Sequence, residues 1–516
     1  MDTEIKKKDI YYIGHIVSAK ANISVDGDVI VPDVNPDAVC ILSLNAQPKV
    51  TGRELQNDRI LIYGSMDYKI IYSTEENITE SIKCTSSFTD VIDLPGAAPG
   101  MEVSLDYSLK DSECRILNGR KLSLKSVVNV DIDVYNRQEL SLVYDLVSTD
   151  TEKKFAQFSF LSPKTDFEKI FEVNDRAEIP IDKISASEIL DTISSISDKS
   201  VRVINNKVIV KGEVTTDIIY KETESDEIRQ LTKVTPFTEI FDVDGIREDS
   251  FSYTDISVCS TKCACDQLAI RDFEICTELK GRVYCYINDT VTLVDDCYSI
   301  TSTCDMKREN IPFRVPLKSF SGQLSLKEGV DNGSKISSVL NVSASAENES
   351  INITDGKIVF KGNVNVKALC ICTDTNQPLT TVKKTIPFSY SADCSTAIQN
   401  TECDAFCEAT GPSYTLNSDG SIEIRCNVSV SGIVYTTKET GLITDITFEE
   451  RGKQNDNASI TVYFVQENDD LWSVAKKYLT SIDKVKALNK MESDVLKKGM
   501  KLFIPKHKIE VDTALK

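Results

Sequence analysis

Three stretches of this 516-residue chain decide its fold: NDRILIYGSMDYKIIY at residues 57–72, NKVIVKGEVTTDIIY at 206–220 and GKIVFKGNVNVKALC at 356–370. Aligning Gly64, Gly212 and Gly362 gives steps of 148 and 150 residues, and Tyr72, Tyr220 or Cys370 stands eight residues after each glycine. About 25 residues after each glycine comes an aromatic residue: Phe88, Phe237 within Thr-Pro-Phe and Phe388 within Ile-Pro-Phe. Residues 121–134 (KLSLKSVVNVDIDV), 269–286 and 421–435 (SIEIRCNVSVSGIVY) close the three units. Landmarks in one order at one period mark an internal repeat.

Within these blocks apolar and polar residues alternate, as in Val130-Asp131-Ile132-Asp133-Val134, the period of a strand with one buried face. A glycine inside such a pattern points to a bulge or a close backbone approach. The fold class is therefore mainly β, with three β-sandwich-like repeats. Their bounds are set at 1–155, 156–305 and a more divergent 306–450. Repeat one opens with Val31-Pro32-Asp33-Val34-Asn35-Pro36-Asp37, where Asn35 before Pro36 suggests a single helical turn. Ile179-Pro180 echoes this opening in repeat two, and Val315-Pro316 is its counterpart in repeat three.

A linker at 451–459 leads to a small α+β domain at 460–507, followed by a tail at 508–516. In this domain Val462–Val465 reads as a strand, and Leu471, Val474, Ala475 and Tyr478 give an amphipathic helix behind Asp470 as N-cap. Ile482, Val485 and Leu488 mark a second helix, opened by Ser481 and ended near Asn489, a residue that tolerates the left-handed region. Gly499 turns the chain into a closing strand over 501–505, completing βααβ.

Charge narrows the partners. The net charge of −21 argues against nucleic acid, whose phosphates demand a basic surface, and disfavours an anionic membrane surface. From Thr461 onward the balance is +3, which leaves −24 on the rest, so body and tail present different surfaces. The charged first ten residues lack the apolar core of a secretory signal, and no stretch of 18 apolar residues exists. The expected location is the compartment of synthesis.

Sixteen cysteines lack metal-ligand spacing: Cys263 and Cys265, like Cys370 and Cys372, are C-x-C, and only His15 and His507 could assist. Buried thiols acting as small hydrophobes are the default; cross-linking in an oxidising layer is the alternative. With only His15 and His507 a serine or cysteine triad is nearly excluded, and there is no phosphate loop or dinucleotide fingerprint. No pair among the 80 carboxylates stands out as a glycosidase pair. The reading is a non-enzyme that needs no cofactor and no metal.

The V-P-D-x-x-P-D opening, the V-x-G-x-V-x-x-x-I-x-Y strand and the I-P-F landmark resemble the SPOCS domain of sporulation and spore-coat proteins. The order Y-x-V, D-x-L-W-x-V-A-x-x-Y, V-x-x-L-N and G-x-x-L-x-I-P resembles a LysM domain over its whole length. Together they resemble the clostridial SipL family of spore-coat morphogenetic proteins. That resemblance implies action in the mother-cell cytoplasm at the forespore surface, then in the coat, with the morphogenetic ATPase SpoIVA and other coat proteins as partners. The alternative it carries is binding to peptidoglycan, or a chitin-like N-acetylglucosamine polymer, in the cortex or wall. By resemblance the LysM groove lies between Asn468, Asp469, Asp470 and Leu471 on one side and Met491, Asp494 and Val495 on the other. Asn468-Asp469-Asp470 replaces the family's Gly-Asp-Thr or Gly-Asp-Ser, exchanging a hydroxyl donor for a carboxylate. Trp472, the only tryptophan, is assigned to the LysM core, with an anchoring role as the alternative.

Overall fold

A computed structural model describes residues 4–225, 227–265, 270–330, 335–373, 379–394, 401–451 and 459–505. His507, the tail and residues 452–458 of the linker lie outside the described residues.

The first unit contains β1 (Glu4–Ile30), β2 (Cys40–Gln56), β3 (Arg59–Ser73), β4 (Thr79–Asp93), β5 (Glu102–Asn118) and β6 (Lys121–Val147). They form two antiparallel three-stranded sheets, β2-β3-β4 and β1-β6-β5. The inner faces of the two sheets enclose one core that includes Ile23, Ile60, Ile62, Met66, Tyr72, Leu122 and Val128. The same arrangement recurs in β7 (Thr151–Glu178), β8 (Ala186–Ile204), β9 (Lys207–Glu222), β10 (Ile228–Asp242), β11 (Phe251–Cys265) and β12 (Asp272–Ser299). It recurs again in β13 (Ser302–Val330), β14 (Ile336–Thr354), β15 (Lys357–Cys372), β16 (Leu379–Asp393), β17 (Thr401–Leu416) and β18 (Ile422–Glu450). The sandwich reading of the repeats holds.

The repeated glycine and phenylalanine are direct partners across the sheet: Gly64 faces Phe88, Gly212 faces Phe237 and Gly362 faces Phe388. On the other side of each glycine the first strand of the sheet slips register, between Val50 and Gly52, Ser197 and Ser200, and Asn348 and Ser350. A Cβ on Gly64 would sit 2.4 Å from the Lys49 carbonyl and 2.7 Å from the Phe88 ring. Both sequence-based reasons for the glycine therefore apply, a bulge opposite it and a close approach of the Lys49 backbone, and the structure adds a third, the Phe88 ring laid over it.

Two expectations are corrected. Residues 31–39 contain no helical turn; Asn35 N donates to Pro32 O at 2.9 Å, closing a tight turn. Pro36 steers Asn35 away from helical dihedrals, and Arg120 occupies the carbonyls of Pro32 and Asn35 at 3.0 and 2.7 Å. Val315-Pro316 is not an opening motif, because it lies inside β13 opposite Thr436 and Tyr435, with a bulge beside the proline. Val330, buried at the end of β13, pairs with Ile422 as Val29 pairs with Leu122 and Ala177 with Phe273 in the other repeats.

The three units close on one another around a pseudo-threefold axis. Leu42, Leu190 and Leu340 meet Ile71, Ile219 and Leu369 in a single cluster, each trio at the repeat's own steps. The β3 position Lys69 and its repeat equivalents Asp217 and Lys367 make the polar contacts beside it. Lys69 pairs with Asp191 at 3.0 Å, Asn341 donates to Asp217 at 2.8 Å, and Lys367 donates to the Leu44 carbonyl at 2.5 Å. A second cluster joins the far halves of the long strands through Ile10, Leu142, Phe160, Leu293, Phe313 and Leu442. Each fully buried Leu or Ile there contributes about 1.5–3 kcal/mol, so the repeats form one body.

Candidate functional site

The C-terminal unit pairs β19 (Ile460–Phe464) with β20 (Lys501–Pro505) and places α1 (Leu471–Tyr478) and α2 (Ile482–Asn489) between them in sequence. Its core is small: Val465, Val474, Leu502 and Ile504, with Tyr463, Tyr478, Met491, Leu496 and Met500 packed around it. In so small a core every apolar contact counts.

Asp470 caps α1. Its Oδ1 accepts from Ser473 N at 2.7 Å, and its own N–H donates to Ser473 Oγ at 3.2 Å, a reciprocal capping box. Those bonds hold its carboxyl below the usual carboxylate range. Asp469 accepts from Tyr463 Oη and from Gln466 N, both at 2.7 Å, which lowers its carboxyl and pushes the Tyr463 hydroxyl up to about 12. Both carboxylates of the Asn468-Asp469-Asp470 loop, of which Asp470 departs from the family's pattern, are thus engaged in holding the loop itself. Asn468 is exposed with φ of 70°, a left-handed conformation that asparagine accepts readily.

Leu471 turns inward and is buried, so it supports the loop from below. Met491 is half-buried against the core. Asp494 is exposed and pairs with Lys486 at 2.6 Å, and Val495 is 70% exposed. The Glu467–Lys498 pair at 2.7 Å ties the first loop to the stretch after the second.

α2 differs from expectation at its end. Asn489 is still helical, and the left-handed cap is Lys490 with φ of 54°. The Asn489 amide instead donates to Val485 O and Phe503 O and accepts from Phe503 N at 2.7 Å, pinning β20 to the helix. Leu488 is 41% exposed, leaving Val485 as the buried residue of α2.

The family model of the SipL SPOCS domain matches residues 37–117, 185–266 and 335–417, and the LysM domain model matches residues 463–505. The chain carries three SipL SPOCS domains and a C-terminal LysM domain. Each SPOCS match covers the sheet that holds the glycine–phenylalanine pair together with the strand that follows it. The third repeat matches over as many strands as the other two. Neither a curated protein nor a solved structure matches the chain. SPOCS and LysM domains are binding modules, and they mark a sporulation coat protein that carries a glycan-binding type of domain.

Trp472 is not in the LysM core. Leu471, Val474 and Ala475 face that core, whereas Trp472 and Lys476, one turn apart, share an adjacent face of α1 that rests on the second SPOCS repeat. There Asp296 of β12 accepts from Trp472 Nε1 at 2.8 Å and from Lys476 Nζ at 2.6 Å. Tyr298, two residues along the same face of the strand, donates to Thr480 O at 2.8 Å. Its ring meets Trp472 edge-on, with centroids 5.1 Å apart. Burial alone would push the Asp296 carboxyl up, but the bonds from Lys476 and Trp472 outweigh it and hold the group below the ordinary range. Lys154 of β7 approaches Asp470 at 3.9 Å. The LysM domain is thus seated on the repeats by one face of α1, while Asn468, Asp494 and Val495 remain exposed.

Sequence reasoning missed Asp296, Tyr298, Lys476 and Thr480. The spacing of Trp472 and Lys476 was a signal that α1 carries a second face; nothing in the local sequence of β12 singles out its partner. All sixteen cysteines are thiols, and Cys370 and Cys372 both lie in the core of repeat three, as one-face placement requires. Between repeats two and three a polar cleft of about 330 Å³ is lined by Glu408 and Lys199, which pair with each other. No helix among the described residues is long and apolar enough to cross a membrane.

Proposed function

We propose that this protein is a non-enzymatic assembly factor of the spore coat that docks on the basement layer of the forespore and links other coat proteins to it. The observation that carries this reading is the seating of the LysM domain on repeat two through Asp296, Tyr298, Trp472 and Lys476. It converts four domains into one body that holds its LysM loops at a fixed angle to the SPOCS surfaces. A rigid two-sided body suits a protein that must bridge a surface and its cargo, since preorganisation lowers the cost of engaging both. On this reading the basement partner is the ATPase SpoIVA, and the site of action is the mother-cell face of the forespore.

The second reading is peptidoglycan binding. It is favoured by the engagement of Asp469 and Asp470 inside the loop, which relieves the groove of much of the unpaired carboxylate that would repel sugar acceptors. Pull-downs from sporulating cells with the full chain and with a chain lacking residues 455–516 separate the two. Loss of a protein partner on truncation supports docking. Loss of retention on purified cortex alone supports the glycan reading. Release of muropeptides from cortex by the full chain would overturn the non-enzymatic assignment.

A further inference from the structure

We infer that Cys297 and Cys304 form a redox-active pair that closes to a disulfide at the junction of repeats two and three. The two sulfurs lie 3.2 Å apart, on β12 and β13, either side of the turn that joins the repeats. That turn is well fixed: Ser299 Oγ accepts from Thr301 N and Ser302 N, and Ile300 N donates to Asp150 O at 2.8 Å. Both thiols sit in the cluster where the three repeats meet through Val143, Leu146, Val294, Ile443 and Ile446. The sulfurs are therefore held together by packing that neither one controls.

The pair is asymmetric. Cys297 is buried, whereas Cys304 is half-buried and open to a small reagent. The two sulfurs share a hydrogen bond, and with the proton on Cys297 that bond lowers the Cys304 thiol and raises that of Cys297; Lys476 of the seated LysM domain adds to the lowering. Thiolate character and access together decide which sulfur attacks first. The Cys304 thiolate attacks a low-molecular-weight disulfide, forming a mixed disulfide and releasing one thiolate. Cys297 then gives up its proton and attacks the Cys304 sulfur, releasing the second. Two protein thiols are oxidised and one small disulfide is reduced to two thiols.

The test uses the full-length chain treated with glutathione disulfide, then alkylated and mapped by mass spectrometry without reduction. The expected result is a peptide pair joined through Cys297 and Cys304, with two fewer alkylated thiols than the sixteen of the reduced chain. Cys297→Ser is expected to trap glutathione on Cys304, and Cys304→Ser to leave Cys297 free for alkylation after unfolding. Urea midpoints of both variants in reducing buffer show that each is folded. Full alkylation of Cys297 and Cys304 after treatment, bridges confined to other cysteines, or glutathione trapped on Cys297 rather than Cys304 would each overturn the assignment.

Discussion

Removing the Asp296 carboxylate should loosen the LysM domain from its seat without unfolding it. In Asp296→Ala, Trp472 Nε1 loses an ionised acceptor at 2.8 Å, a bond of about 1.5 kcal/mol for a charged partner. Lys476 loses its ion pair, but its side chain is 38% exposed against 21% for Asp296, so solvent screening limits that share to about 0.5–1 kcal/mol. The sum is about 2 kcal/mol, or roughly a thirtyfold shift toward the unseated form. Adding Tyr298→Phe strips the donor from the buried Thr480 carbonyl and costs about 1–2 kcal/mol more, less than additively because the two sites share Trp472. The LysM core of Val465, Val474, Leu502 and Ile504 is untouched by either change. As the chain has one tryptophan and it lies in the seat, emission wavelength and acrylamide quenching report on seating directly. Both variants should shift the emission to the red and raise quenching, the double variant more. Emission and quenching identical to the parent in the double variant would refute the seating.

Acid should release the same contact. Asp296 is held below the ordinary carboxylate value, so its contribution is present above pH about 4 and is lost as pH falls through its folded value. Trp472 emission should stay flat from pH 8 to 5 and move to the red below about 4; a shift already complete at pH 6 would assign the contact to another group. Gly64→Ala should lower stability by about 2–3 kcal/mol in urea titrations, since its Cβ meets backbone that cannot retreat, while Gly329→Ala, with nothing within 4 Å, should not. Leu190→Ala should cost about 3 kcal/mol and split a single unfolding transition, because the residue is fully buried where all three repeats meet. A single cooperative transition with an unchanged midpoint would remove the hub from the account.

Strand identity, the threefold repeat, the glycine–phenylalanine spacing and the βααβ order of the LysM domain follow from the sequence alone. Each depends on periodicity or on contacts between neighbouring strands, and both are written in consecutive residues. Even the hub leaves a local trace: Ile70-Ile71-Tyr72, Ile218-Ile219-Tyr220 and Ala368-Leu369-Cys370 break the alternation, as strands buried on both faces do. The identity of the surface on that second face is not local. Leu42 meets Leu190 and Leu340, and Trp472 meets Tyr298, only because three sandwiches close around an axis and leave β12 beneath α1. The same holds for Trp472, assigned from its motif to the LysM core. A helix position fixes the direction a side chain takes, but only the tertiary structure decides what stands there to receive it.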